Sequence, residues 1–113
     1  MRYRLARRAV ADLRAIHQRS LIEWGILQAD RYLEDIYATI MRLAASPDRD
    51  TSRNRRAAPF RMVPAEKHFL IYEQVDDVVA ILAVLHQRQN VEKAIAELTD
   101  EARRGIAAIK RAP

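Results

Sequence analysis

The stretch Val78-Val79-Ala80-Ile81-Leu82-Ala83-Val84-Leu85 is the segment around which the rest of this chain has to be arranged. Its eight apolar residues run without a polar interruption, far short of the roughly 18 needed to cross a bilayer. The run also lacks the alternation of a strand with one wet face. It therefore reads as a strand covered on both faces, or central in its sheet. His68 to Val75 reads as the preceding strand, and with only Asp76-Asp77 between them the two require a tight hairpin. Phe60-Arg61-Met62-Val63, set between Pro59 and Pro64, reads as a further short strand.

Upstream the period changes. Arg2-Tyr3-Arg4-Leu5-Ala6 alternates polar and apolar, as a short first strand does. From Arg7 onward Ala9, Leu13, Ile16, Ser20 and Trp24 recur at helical spacing. Gly25 then offers the left-handed conformation that closes a helix. A second helix follows at once, with Ile26, Ala29, Leu33, Ile36, Ile40 and Leu43 on one face and Asp30, Glu34 and Asp35 on the other. So short a joint predicts an antiparallel helical hairpin, ended by Ser46-Pro47. Residues 47–58 are polar and charged without a period and read as a basic loop. After Asn90 a stripe returns in Val91, Ile95, Leu98, Ala102, Ile106 and Ile109. Thr99 before Asp100-Glu101 is a second helix-start signal, so the tail is one helix or two with a kink near Thr99. The order β-α-α-β-β-β-α predicts an α+β fold: a helical hairpin packed on a small, mainly antiparallel sheet, with an extra C-terminal helix. At 113 residues the chain has the length of one domain.

Composition removes several kinds of chemistry. There is no cysteine, hence no disulfide and no cysteine-based zinc site. Gly25 and Gly105 are the two glycines, which excludes both a P-loop and GxGxxG. His17, His68 and His86 fall on three elements with no ligand spacing, so neither a metal nor another cofactor is expected. Met1 to Arg8 carries charge with no apolar stretch behind it, so no secretory signal is expected. The net charge of +5 comes from 17 Arg and 3 Lys against 15 acids. It is concentrated in residues 1–25 and 49–67, each with a net +4. Two such blocks suit a polyanion or an acidic protein surface, or make arginine simply the solubilising cation.

Two constellations stand out. Acid–base work on a phosphodiester needs a group that takes a proton, one that returns it, and cations for the developing charge. His86, Arg61 and Arg88 supply these types, with Lys67, Tyr72 and His68 beside them if they converge on one face. Alternatively, His86 ends its strand with its ring bonded to backbone and Arg88 is solvated. The second constellation is apolar. Ile22 and Leu27 lie off the core stripes, near Arg19 and Arg31, while Leu21, Tyr37 and Met41 lie at the stripes' edges. Around one helical joint they form a groove for a partner's amphipathic segment, or they are covered by the C-terminal helix.

These residues resemble a known family. Tyr3-Arg4-Leu5, Ala9, Asp12-Leu13, Trp24-Gly25, Gln28-Ala29, Tyr32, Leu43-Ala44 and Pro47 are similar to the ParE branch of the RelE/ParE toxins. So are Phe60-Arg61, His68, Ile71-Tyr72, Ile81-Leu82 and Val84-Leu85-His86-Gln87-Arg88. The resemblance implies a toxin domain over 1–90, with 91–113 a helical extension of the same domain. It implies a cytoplasmic toxin of a type II toxin–antitoxin module, neutralised by a cognate ParD-like antitoxin. The target it implies is DNA gyrase, inhibited by binding, with no catalytic residue, no membrane, and DNA reached only through the antitoxin or the gyrase complex. Target contacts then fall to Arg61, His86 and Arg88, and antitoxin contacts to Leu21, Ile22, Leu27, Tyr37 and Met41. The alternative within the superfamily is a RelE-type, ribosome-dependent mRNA endonuclease using His86, Arg61 and Arg88. Many such nucleases carry a late tyrosine, and this chain has none after Tyr72. A third reading is a non-toxic relic that still binds an antitoxin.

Overall fold

The computed structural model describes residues 2–46 and 55–111. In chain order the elements are β1 (Arg2–Leu5), α1 (Arg7–Trp24), α2 (Ile26–Ala45), a 3-10 turn at Arg55–Ala57, β2 (Arg61–Ala65), β3 (His68–Val75), β4 (Val78–His86) and α3 (Val91–Arg111). The strands form one sheet in the order β1-β4-β3-β2. β1 runs parallel to β4, and the other neighbours are antiparallel. The expected α+β architecture is therefore present. Of the basic loop, residues 47–54 lie outside the described residues.

The sheet is the middle of three layers. On one face, Ala9 and Leu13 of α1 and Ile36, Ile40 and Leu43 of α2 pack on Leu70, Tyr72, Val79, Ile81 and Val84. On the other, Val91, Ala94, Ile95 and Leu98 of α3 pack on Met62, Ile71, Leu82, Ala83 and Leu85. Each fully buried Leu, Ile or Val contributes about 1.5–3 kcal/mol, and Val91, Ile95 and Leu98 bring α3 into the core on that face. It is one helix. Thr99 does not start a new one, because its hydroxyl donates to the Ile95 carbonyl at 3.0 Å, one turn back. Ile106 and Ile109 are partly buried against that core, while Ala102 lies outside the described side chains.

All of Val78 to Leu85 is buried, and a bulge accounts for part of its missing alternation. Ile71 pairs with Ala83 but Tyr72 pairs with Ile81, which leaves Leu82 as an extra residue in β4. Leu82 and Ala83 consequently both face α3, whereas Val79, Ile81 and Val84 face the hairpin. Side-chain parity is inverted from there to the strand's end.

Several expectations need correction. Trp24 and Ile26, placed on core stripes by periodicity, are 70% and 61% exposed. Every residue from Leu21 to Gln28 is exposed, so the hinge end of the hairpin extends past the layer it would pack on. Gly25 does adopt positive φ, but with φ 87° and ψ 172° it is not left-handed helical; this is an almost glycine-only region. β2 spans Arg61–Ala65 rather than Phe60–Val63 and passes through Pro64. It is an edge strand, where a missing N–H leaves no ladder bond broken. Phe60 instead precedes the strand and is buried in the core.

β1 stops early, and a side chain takes over its role. Ala6 N–H still reaches the Ile81 carbonyl at 2.9 Å. Three residues further along β4, Val84 N–H donates to Asp12 Oδ2 at 2.9 Å. The other carboxylate oxygen accepts from Arg8 Nε at 2.8 Å. Burial pushes the Asp12 carboxyl above the usual carboxylate range, although the Val84 amide and Arg8 pull it down. Removing this acceptor strands a buried strand N–H, so Asp12→Ala is expected to lower stability by about 1–3 kcal/mol, read as a lower urea midpoint. Gly25→Ala meets no atom within 4 Å, so its expected loss of about 1–3 kcal/mol is purely backbone strain, measurable in the same denaturation series.

Candidate functional site

The hairpin-facing side of the sheet ends in a cluster of rings. His68 and His86 are register partners at the start of β3 and the end of β4. Their rings meet edge to face with centroids 5.0 Å apart. Tyr32 of α2 meets His68 in the same manner at 5.6 Å. Its hydroxyl lies 2.7 Å from His68 Nδ1 and accepts the Lys67 backbone N–H at 3.1 Å. That second bond uses one lone pair of the oxygen and leaves the Tyr32 proton available to His68. The His86 ring accepts the Arg88 backbone N–H on Nδ1 at 3.0 Å. Burial, with the nearby charges of His86 and Arg19, holds His68 far below the ordinary histidine range, at about 4. It is a neutral imidazole at physiological pH.

The bulge is what places His86 here. Counting by twos from Ala80 and Leu82 would send it to the α3 side; the extra residue moves it, with Val84, to the hairpin side. Gln87 fixes the adjoining turn, donating through its backbone to the Lys67 carbonyl at 3.0 Å and through Nε2 to the Glu66 carbonyl at 3.0 Å. The other candidates of the acid–base set do not join the cluster. Arg61 pairs with Tyr72 in the ladder, four β3 positions or roughly 13 Å from His68. Its Nε lies 3.6 Å from Glu73 Oε1. Tyr72 is 2% exposed within the hairpin-side core and presents no reactive group to solvent. Of the three runner-up residues, the structure brings together His86 and Arg88 and leaves Arg61 apart. Sequence reasoning missed Tyr32 as a partner of His68. Its signals were a place among the residues of the family resemblance and a position next to Leu33 of the α2 stripe.

The second surface is apolar. Ile22 is 80%, Leu27 85%, Met41 56% and Leu21 39% exposed, so α3 does not cover them. Trp24 and Ile26, assigned above to the core, enlarge this surface instead. It continues into a groove of about 550 Å³ between the two helices, floored by Leu5, Val10 and Leu33 and flanked by Leu21 and Tyr37. Arg14 and His17 stand at its rim, and His17 Nε2 lies 2.8 Å from Asp30 Oδ1 across the hairpin. Among the described residues no three His, Asp or Glu side chains are grouped to hold a metal ion. No described helix is long and apolar enough to cross a membrane.

Comparison with known proteins places these features. The family described as ParE toxin of type II toxin-antitoxin system, parDE, matches residues 3–91, ending where α3 begins. Toxin ParE1 of Caulobacter vibrioides is 38% identical over 88 residues, covering 78% of this chain and 91% of that protein. Toxin ParE1 of Mycobacterium tuberculosis is 31% identical over 93 residues, covering 81% of this chain and 95% of that protein. A solved structure titled "Chromosomal ParDE TA system from P. aeruginosa" shares the fold with a TM-score of 0.69 at 20% identity, covering 76% of this chain and 95% of that one.

The neutral state of His68 makes stability depend on pH. Its folded value near 4 lies below the ordinary 6.5, so the unfolded chain binds the proton more readily. The stabilisation is complete above about pH 6.5 and is lost as pH falls toward 4. The urea midpoint should fall across that window, and His68→Phe, which keeps an aromatic ring between Tyr32 and His86, should flatten the fall.

Proposed function

Because this chain belongs to the ParE toxin family of type II toxin–antitoxin systems, we propose that it acts in the cytoplasm by binding DNA gyrase, and that a cognate ParD-like antitoxin holds it silent. The observation that carries inhibition by binding, rather than RNA cleavage, is the separation of Arg61 from the His68–His86 pair. A phosphodiester in reach of His86 has no Arg61 beside it, and general acid–base catalysis needs its groups within hydrogen-bond reach of one reacting centre. The absence of any tyrosine after Tyr72 supports the same reading. Arg61, His86 and Arg88 serve as target contacts rather than catalysts. Supercoiling by purified gyrase should be lost on addition of the toxin; unchanged supercoiling at saturating toxin would overturn the proposed target.

The antitoxin is assigned to the apolar joint. Leu21, Ile22 and Leu27, extended by Trp24 and Ile26, offer an amphipathic helix anchors at the joint, and Tyr37 and Met41 continue them along α2, Met41 about 21 Å from Leu27. Arg14, among the residues lining the groove, favours an acidic flank on that segment. Ile22 and Leu27 support nothing in the core, so the double change Ile22→Ser, Leu27→Ser should leave the fold intact. Affinity for the antitoxin should drop by at least about tenfold, the loss of one well-buried apolar contact. Titration calorimetry with the product of the adjacent reading frame measures this, and unaltered affinity would move the antitoxin elsewhere.

A further inference from the structure

The ring cluster at the end of the sheet has a property that inhibition by binding does not use. His86 accepts the Arg88 backbone N–H on Nδ1, and His68 Nδ1 faces the Tyr32 hydroxyl, whose own proton is available to it. A neutral ring whose Nδ1 accepts carries its hydrogen on Nε2. His86 thus carries its hydrogen on Nε2, and with Tyr32 as donor His68 does the same, which gives two Nε2–H donors. Neither donor meets an acceptor among the described residues.

The charge around these donors has one sign in excess. From α1, Arg19 is exposed, makes no ion pair among the described residues, and is close enough for its charge to act on His68. Lys67 and Arg88, in the two turns that frame the rings, are likewise exposed and without ion pairs. Among the described residues the carboxylates nearby are Glu66, whose charge reaches the Tyr32 hydroxyl, and Glu23, one turn from Arg19 on α1 and lining the same hollow. A surface that offers fixed donors and surplus cations suits an oxyanion. Ring N–H groups within the field of a guanidinium suit a phosphate in particular, whose several oxygens accept from different directions.

We infer that the Arg19–His68–His86 end of the sheet binds a phosphate group, with the two Nε2–H groups as donors and the Arg19 guanidinium as counter-charge. The inference does not depend on gyrase being the target. Bound phosphate reverses the sign of the local field, so it raises the pH at which His68 protonates, and binding takes up a proton as the pH falls. Arg19 from α1, Tyr32 from α2, His86 from β4, and Glu66, Lys67 and Arg88 from the turns are the groups that face this change.

Imidazole nitrogen–proton NMR correlations on the full-length toxin test it directly, with inorganic phosphate added against chloride at matched ionic strength. A parallel arm uses a single-stranded DNA oligonucleotide without terminal phosphates, which offers only diesters. The His68 and His86 signals should move together with one affinity while His17 stays in place. The His68 titration should rise by about one pH unit or more, and Arg19→Gln should weaken binding roughly tenfold. Arg19 is exposed, and an unchanged amide spectrum verifies that the variant is folded. Movement with inorganic phosphate alone assigns the site to free phosphate or a monoester, and movement in both arms assigns it to a nucleic-acid backbone. Rings unmoved in both arms, His17 moving equally, or an affinity indifferent to Arg19→Gln would overturn the inference.

Discussion

The complete burial of β4 is the constraint on which the molecule rests. A strand with apolar side chains on both faces is unstable unless each face has a cover, and here the covers come from opposite ends of the chain. The α1–α2 hairpin arrives before the sheet is built, and α3 after it. The bulge at Leu82 adjusts the same strand so that both covers are served. It sends two consecutive residues to the α3 side and then returns Val84 and His86 to the hairpin side. A one-residue change of parity moves a side chain from one face of a sheet to the other, so the His68–His86 contact is a by-product of how the core is packed.

Polar groups left over by this packing are met by single side chains. Asp12 replaces a strand where β1 has ended, Tyr32 links the turn backbone to His68, and Gln87 holds the turn at Glu66 and Lys67. Asp12 and Tyr32 sit on helices and reach across to the sheet. The hairpin's orientation on the sheet is thereby set by directional bonds as well as by apolar contact. The hinge carries no such bonds to the sheet, and its apolar residues are left to solvent.

Two surfaces of contrasting chemistry result. The helical joint is apolar and rich in large side chains, with a groove leading from it. The sheet end joins two histidine rings and a tyrosine within the field of Arg19. One suits the side chains of an amphipathic partner and the other suits an anion. The two surfaces thus offer separate chemistry to the antitoxin and to the target proposed above.

The order of elements was legible because local rules produce it: period two in β1, helical spacing along α1 to α3, and acidic turn residues at Asp76-Asp77. The family was legible from the same segments, through the residues around Trp24-Gly25 and Val84 to Arg88. Burial at the hinge was not legible, since periodicity reports which residues share a face and not whether anything lies against it. Trp24 and Ile26 kept the right spacing with nothing beneath them. Nor was the site legible as a set. An unbroken apolar run gives no sign of where its parity inverts, so the face on which His86 emerges is undecided along the chain. Arg61 fell outside the cluster because β2 pairs with β3 in a register that places it beside Tyr72. The amino-acid order determined which segments become helix and strand, through spacing and turn chemistry. Only the packed sheet decided which side chains meet, because strand register and the bulge are settled by fitting two helical layers around one strand.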